Sequence, residues 1–188
     1  MHRKEMAGQG DYVHKIWSLS SQRFLELELP EDPPSEKEQG KKTYNAIFTG
    51  TGKEDLSKIT FKKKTLIPHV FVYYLVFQKD SENYSMEIDE FGDDTDVFVK
   101  RMKPDKPPNP SITFIPQTIS NGPFSALLAV KPAWTSGEIE RYVNNKSCEK
   151  KYLCSRCDGT LALKSNNTDD KGLPLNPHPD IFFLEIDA

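Results

Sequence analysis

The stretch His69-Val-Phe-Val-Tyr-Tyr-Leu-Val-Phe-Gln78 decides the fold class. Every residue from Val70 to Phe77 is aliphatic or aromatic, and β-branched and aromatic types dominate. Such side chains lose rotamer freedom on a helix and pack well on a pleated surface, so the run reads as a buried strand. Alternation sends Phe71, Tyr73, Leu75 and Phe77 to one face and Val70, Val72, Tyr74 and Val76 to the other. Both faces are apolar. An antiparallel strand with one wet face alternates with polar residues, so this one requires cover on both sides.

Working outward, Pro68 stands just before the strand, because a residue without an N–H cannot join the hydrogen-bond ladder. Upstream, Ile59 and Phe61 mark a strand running into Lys62, Lys63 and Lys64, and residues 43–49 form another ahead of the Gly50-Thr-Gly52 turn. Phe24, Leu25, Leu27 and Leu29 interleave with Glu26 and Glu28, a strand with one wet face, and Ile16, Trp17 and Leu19 precede it. Downstream, Lys79 to Asn83 turns the chain, and Tyr84, Met86 and Ile88 answer on alternate positions. Val97–Met102, Ile112–Ile115, Phe124–Val130 and Ile181–Ile186 add further strands. A Ser or Thr cap before Glu138 and Glu140, with Ile139, Tyr142 and Val143 on one face, predicts the single helix, near 136–144.

The expectation is a mainly β protein, an antiparallel β-sandwich or open barrel of about ten strands with one short helix. No segment repeats another at a fixed period. The 188 residues suit a single β domain over 12–188 behind a flexible leader over 1–11. The charged, proline-rich runs at 30–42 and 103–110 read as solvated loops.

Composition narrows the function. A net charge of −3 and a pI near 5.8 argue against a generally nucleic-acid-coating protein, though not against a local basic patch. The leader has basic residues without an apolar core behind them, and no run is long enough to span a membrane. Three cysteines crowded between Cys148 and Cys157 do not resemble a secreted disulfide framework. The expected location is therefore intracellular, nucleus or cytoplasm, and the sequons at Asn83, Asn145 and Asn166 are read as incidental.

The Cys-containing hairpin over 148–163 carries the most specific motif. Two close cysteines, Cys154 and Cys157, flank a turn that Gly159 allows to return tightly. The segment Tyr152-Leu-Cys-Ser-Arg-Cys-Asp-Gly-Thr-Leu161 resembles the first zinc knuckle of Yippee-like and related β-tent domains over about ten residues. Those domains need a second cysteine pair, which this chain lacks. A structural zinc would thus need Cys148, Cys154, Cys157 and His178. A redox role does not fit, since no βαβ pattern places the motif at a helix N-terminus.

Other motifs fail on spacing. Gly50-Thr-Gly-Lys53 lacks the first glycine and the following Ser or Thr of a phosphate-binding loop. The acidic run Glu87–Asp96 does not match a calcium loop and reads as a solvated inter-strand loop. No catalytic motif is visible, which leans the reading away from an enzyme; a small-ligand or enzymatic barrel stays the last alternative.

The two-sided apolarity carries the functional expectation. With one short helix available as cover, part of the sheet is expected to meet another protein, with Tyr74, Phe98, Trp134 and Phe182 as aromatic anchors. The chain is thus expected to be a non-enzymatic protein–protein interaction module, a subunit or adaptor of a larger complex. The alternative is nucleic-acid binding by a lysine-rich strip of Lys62, Lys63, Lys64, Lys100, Arg101 and Lys103, extended by Lys106.

Overall fold

Alternating apolar residues build twelve strands and one helix among the described residues, which in this computed structural model are 10–29, 43–53, 55–119 and 122–188. Most of the leader and all of the 30–42 loop lie outside them. The strands are β1 (Tyr12–Ser18), β2 (Phe24–Glu28), β3 (Thr43–Gly50), β4 (Ile59–Ile67), β5 (Val70–Lys79) and β6 (Glu82–Glu87). They continue with β7 (Phe98–Arg101), β8 (Thr113–Thr118), β9 (Ser125–Val130), β10 (Glu149–Ser155), β11 (Leu161–Asn167) and β12 (Phe183–Asp187). Helix α1 (Ser136–Asn144) separates β9 from β10.

All the pairings are antiparallel, and six strands close a ring. β1 pairs β4, β4 pairs β5, β5 pairs β8, β8 pairs β9, β9 pairs β12, and β12 returns to β1. The other six form three hairpins, β2–β3, β6–β7 and β10–β11. Each consecutive set of four strands therefore gives two to the ring and two to a hairpin, the threefold arrangement of a β-trefoil. The mainly antiparallel β architecture with one short helix is as the sequence leads one to expect. The threefold repeat lies in strand pairing and is not mirrored in residue identity.

The opening stretch sits where the alternation puts it. Tyr73, Leu75 and Phe77 enter the main core with Ile16, Phe61, Phe114 and Phe183. Phe71, on the same face at the strand start, is exposed, while on the opposite face Val72 and Val76 are also buried and Tyr74 is half-buried. His69 does not open the strand: its φ of 68° places it in the turn after Pro68. Asp80 and Ser81, with φ of 50° and 65°, make the two-residue turn into β6, whose positive-φ backbone matches the right-handed twist of the paired strands.

β9 shows how two-sided apolarity is satisfied. All six of its residues are buried. Leu127 and Ala129 face the main core. Ala126 and Leu128 face a second cluster with Tyr152, Cys154, Ala162 and Ile181, against which Ile115, Tyr142 and Phe182 pack. Cover for this second face thus comes from the β10–β11 hairpin, the helix and the segment before β12. A cover from another protein is not needed there, because hairpins and turns supply what one helix could not. Among the described residues, the large apolar side chains left exposed are Val13, Phe71, Leu175 and Ile186.

Two boundaries depend on local chemistry. Thr135 caps α1: its hydroxyl accepts from the Glu138 N–H while the Glu138 carboxylate accepts from the Thr135 N–H. Ile181 belongs to a short 3-10 turn (Pro179–Ile181) and not to the last strand, because Pro179 fixes φ and has no N–H to donate.

Candidate functional site

The outer face of the β5–β6–β7 sheet gathers several of the expected site residues in one groove. In register, Val76 lies opposite Ser85 and Ser85 opposite Lys100, while Lys62 of β4 lies opposite Tyr74. The groove, of about 180 Å³, is lined by Tyr74, Lys100, Arg101, Lys103 and Lys106. Its far wall is the 103–110 loop, with Met102, Pro107, Pro108 and Pro110 supplying apolar surface. Burial raises the Tyr74 hydroxyl above its ordinary range, with Lys62 acting in the opposite direction and Asp11 adding to the rise.

A latch holds that wall. Glu87 at the end of β6 accepts from the Ser85 hydroxyl at 2.9 Å and from the Ser111 N–H at 2.7 Å, and the Ser111 hydroxyl also donates to it. The Ser111 hydroxyl in turn accepts from the Ile88 N–H at 2.8 Å. The proline-rich loop, read from the sequence as solvated punctuation, is therefore fastened to the sheet at its C-terminal end. Charge-assisted bonds of this kind are stronger than neutral ones.

The basic strip is less continuous than its residue list suggests. Lys62 donates to Asp11 at 3.1 Å, and the Lys63 ammonium lies 4.2 Å from the Phe71 ring centroid. Arg101 engages both carboxylate oxygens of Glu82, through Nε and Nη2, which holds that carboxyl below its ordinary range. Lys64 faces Val72 across β4–β5. Exposed Lys100, Lys103 and Lys106 carry the groove's positive character, and Lys100 also sits 5.1 Å from the Phe98 ring centroid.

The four expected aromatic anchors do not share one patch. Tyr74 lines the basic groove, and Phe98 lines a separate, larger acidic groove. Trp134 forms an aromatic cluster with Phe91 and Tyr142, ring centroids 4.8 and 4.9 Å away, beside a groove that also reaches Arg141 and Cys148. Phe182 stacks on Phe124 at 6.1 Å. All four anchors are half-buried.

The cysteine residues are not gathered. Cys148 precedes β10 and Cys154 lies near its far end, so at a rise of about 3.3 Å per residue they stand roughly 20 Å apart. Ligands of one tetrahedral zinc lie within about 4 Å of each other, so the expected set of Cys148, Cys154, Cys157 and His178 does not fit one ion. Burial pushes the Cys154 thiol up to about 12, with Asp180 adding to the rise, so it stays protonated at neutral pH. His178 pairs with Asp180 at 2.6 Å, and Cys157 is exposed on the turn. No group of three metal-ligating side chains is found among the described residues.

What the hairpin does hold is the acidic loop. Arg156, between the two cysteines, donates from Nε to Asp94 at 3.1 Å and from Nη1 to Asp96 at 2.6 Å. The loop backbone adds a ladder against β11, with the Asp94 and Val97 N–H groups donating to Leu163 and Leu161, and the Leu163 N–H to Thr95. Asp93 accepts from the Ser165 N–H at 2.6 Å, and that bond is the main reason its carboxyl lies below its ordinary 3.8. Gly159 makes this possible: with φ at 86° it returns the turn so closely that a Cβ would stand 3.0 Å from the Phe48 carbonyl. The acidic run is an inter-strand loop with exposed carboxylates, and it is also stitched down, because Arg156 and a strand edge are brought to it by the fold.

A pH prediction follows from the sign of that shift. A carboxyl whose pKa is lowered on folding contributes stability above its unfolded pKa and loses it as pH falls through the folded value. Protection of the Ser165 and Leu163 amides against hydrogen exchange should be full at neutral pH and drop below about pH 3.8. Asp93→Ala should show the lowered protection already at pH 7. Protection independent of both would contradict the stitching role.

No protein-family model matches the chain, and no curated protein matches it either. Solved structures do share its shape. The Rhizoctonia solani agglutinin superposes with a TM-score of 0.56 at 9% identity, covering 96% of this chain and 98% of its own. A salivary protein of Culex quinquefasciatus from the Cysteine and Tryptophan-Rich family gives a TM-score of 0.54 at 8% identity, with both chains fully covered. At such identities the likeness extends to the fold and stops there.

Proposed function

We propose that this chain is a non-enzymatic protein–protein interaction module, a subunit or adaptor of an intracellular complex, in nucleus or cytoplasm. The observation that carries the reading is the convergence of Tyr74, three exposed lysines and a proline wall in one groove of the sheet. Tyrosine is among the side chains that supply most of the binding energy where proteins meet, and exposed lysines add the charge complementarity that steers a partner in. The latch through Glu87 and Ser111 supports it further, since a wall fixed before binding loses less entropy on association. Three unpaired cysteines suit a reducing compartment. Among the described residues, no helix is long and apolar enough to cross a membrane.

A photo-crosslinking amino acid at Tyr74, with a control at exposed Glu140 on the helix, tests the reading in native extract. A discrete protein adduct is expected from position 74 and not from 140, and the identified protein should bind the purified chain. Adduct formation that is absent at 74, or equal at both positions, would overturn the groove as the contact. Nucleic acid recovered at position 74 in place of protein would favour the lysine strip as a nucleic-acid site instead.

A further inference from the structure

Resting on that reading, we infer that the groove takes a short acidic segment of a protein partner, with carboxylates on Lys100, Lys103 and Lys106 and an apolar side chain against Met102 and the prolines. Charge complementarity supports this choice. The groove's cations outnumber its anions, since Glu82 is spent on Arg101 and Glu87 is the carboxylate that lines the site. Both Glu87 oxygens already accept hydrogen bonds from serine donors, so they do not solicit a cationic ligand.

The walls argue for peptide over nucleic acid. Prolines 107, 108 and 110 offer no N–H, so a guest cannot be held as an added strand along them and is read through its side chains. A volume of about 180 Å³ admits the apolar side chain, while the carboxylates meet the exposed lysines from solvent, and it has no room for a run of stacked bases. Backbone tracking would need a continuous line of free cations, yet Lys62 is paired with Asp11 and Lys63 lies against Phe71. Lysines, as compact point charges on flexible stems, suit scattered carboxylates, whereas the bidentate Arg101 is already occupied.

The test is fluorescence anisotropy of the whole chain with a labelled peptide of alternating Glu and Leu, against the same peptide with Gln for Glu and against a single-stranded oligonucleotide. The acidic peptide should bind at least about tenfold tighter than its amide form and weaken as salt rises from 50 to 300 mM. Lys100→Glu with Lys103→Glu, both exposed positions, should lower its affinity at least about tenfold while leaving thermal melting unchanged. Equal binding of acidic and amide peptides, or no effect of the double variant, would overturn the inference. So would tighter binding of the oligonucleotide. Sedimentation of the chain alone covers one more occupant: self-association abolished by the double variant would mean that a second copy, through its acidic groove, fills the site. If the peptide arms fail while Tyr74 still cross-links a protein, the acidic chemistry falls and the interaction module stands.

Discussion

Phe183→Ala is expected to destabilise the chain by about 3–5 kcal/mol in urea unfolding, the range for emptying a buried aromatic site. Phe183 is fully buried and begins β12, the strand that closes the ring. Its backbone lies opposite Ser18 of β1 and Ser125 of β9, so it joins the first strand to the last third of the molecule. Its ring stacks nearly parallel on Phe48 of the β2–β3 hairpin at 5.5 Å. The cavity left by alanine would therefore open where ring and hairpin meet, with strands on either side too constrained to collapse into it. Against a total stability of about 5–15 kcal/mol, much of the population could unfold. A loss under about 1 kcal/mol would mean that the ring does not close through this residue.

Leu128→Ala should cost about 2–5 kcal/mol in the isolated chain. Leu128 is 1% exposed, lies opposite Tyr152 of β10 and Ile115 of β8, and belongs to the second apolar cluster. The substitution separates two ways of covering the outer face of β9. With cover from within the chain, the lone protein already buries Leu128 and the full penalty appears in urea unfolding. With cover from a partner, the side chain would be solvated in the lone protein and the change would stay within about 0.5 kcal/mol.

Much of the architecture could be read from alternation. The Val70–Phe77 run announces a strand buried on both sides, and Thr135 with Glu138 marks the helix start because a capping box is a local device. Ring closure was not legible, since β1 meets β12 through residues separated by almost the whole chain, and period-2 alternation says that a strand is buried without saying beside what. The same blindness affected the site. Tyr74 and Lys100 were both singled out, for different reasons, yet only the register of β5, β6 and β7 places them in one groove. Nothing local could reveal that Lys62 is paired with Asp11 or that Glu82 takes Arg101. Sequence proximity misled for the cysteines: the seven-residue strand β10 holds Cys148, just before it, well away from Cys154. Arg156, passed over as a spacer between two thiols, is the residue that ties down the acidic loop.

Hydrogen exchange of the chain with and without the partner cross-linked at Tyr74 tests the interaction-module account most directly. Added protection should concentrate at residues 74–76 and 98–106, on the outer face of the sheet and the latched loop, with little change around the Trp134 cluster. Protection centred on residues 134–149, or spread evenly over the molecule, would contradict it.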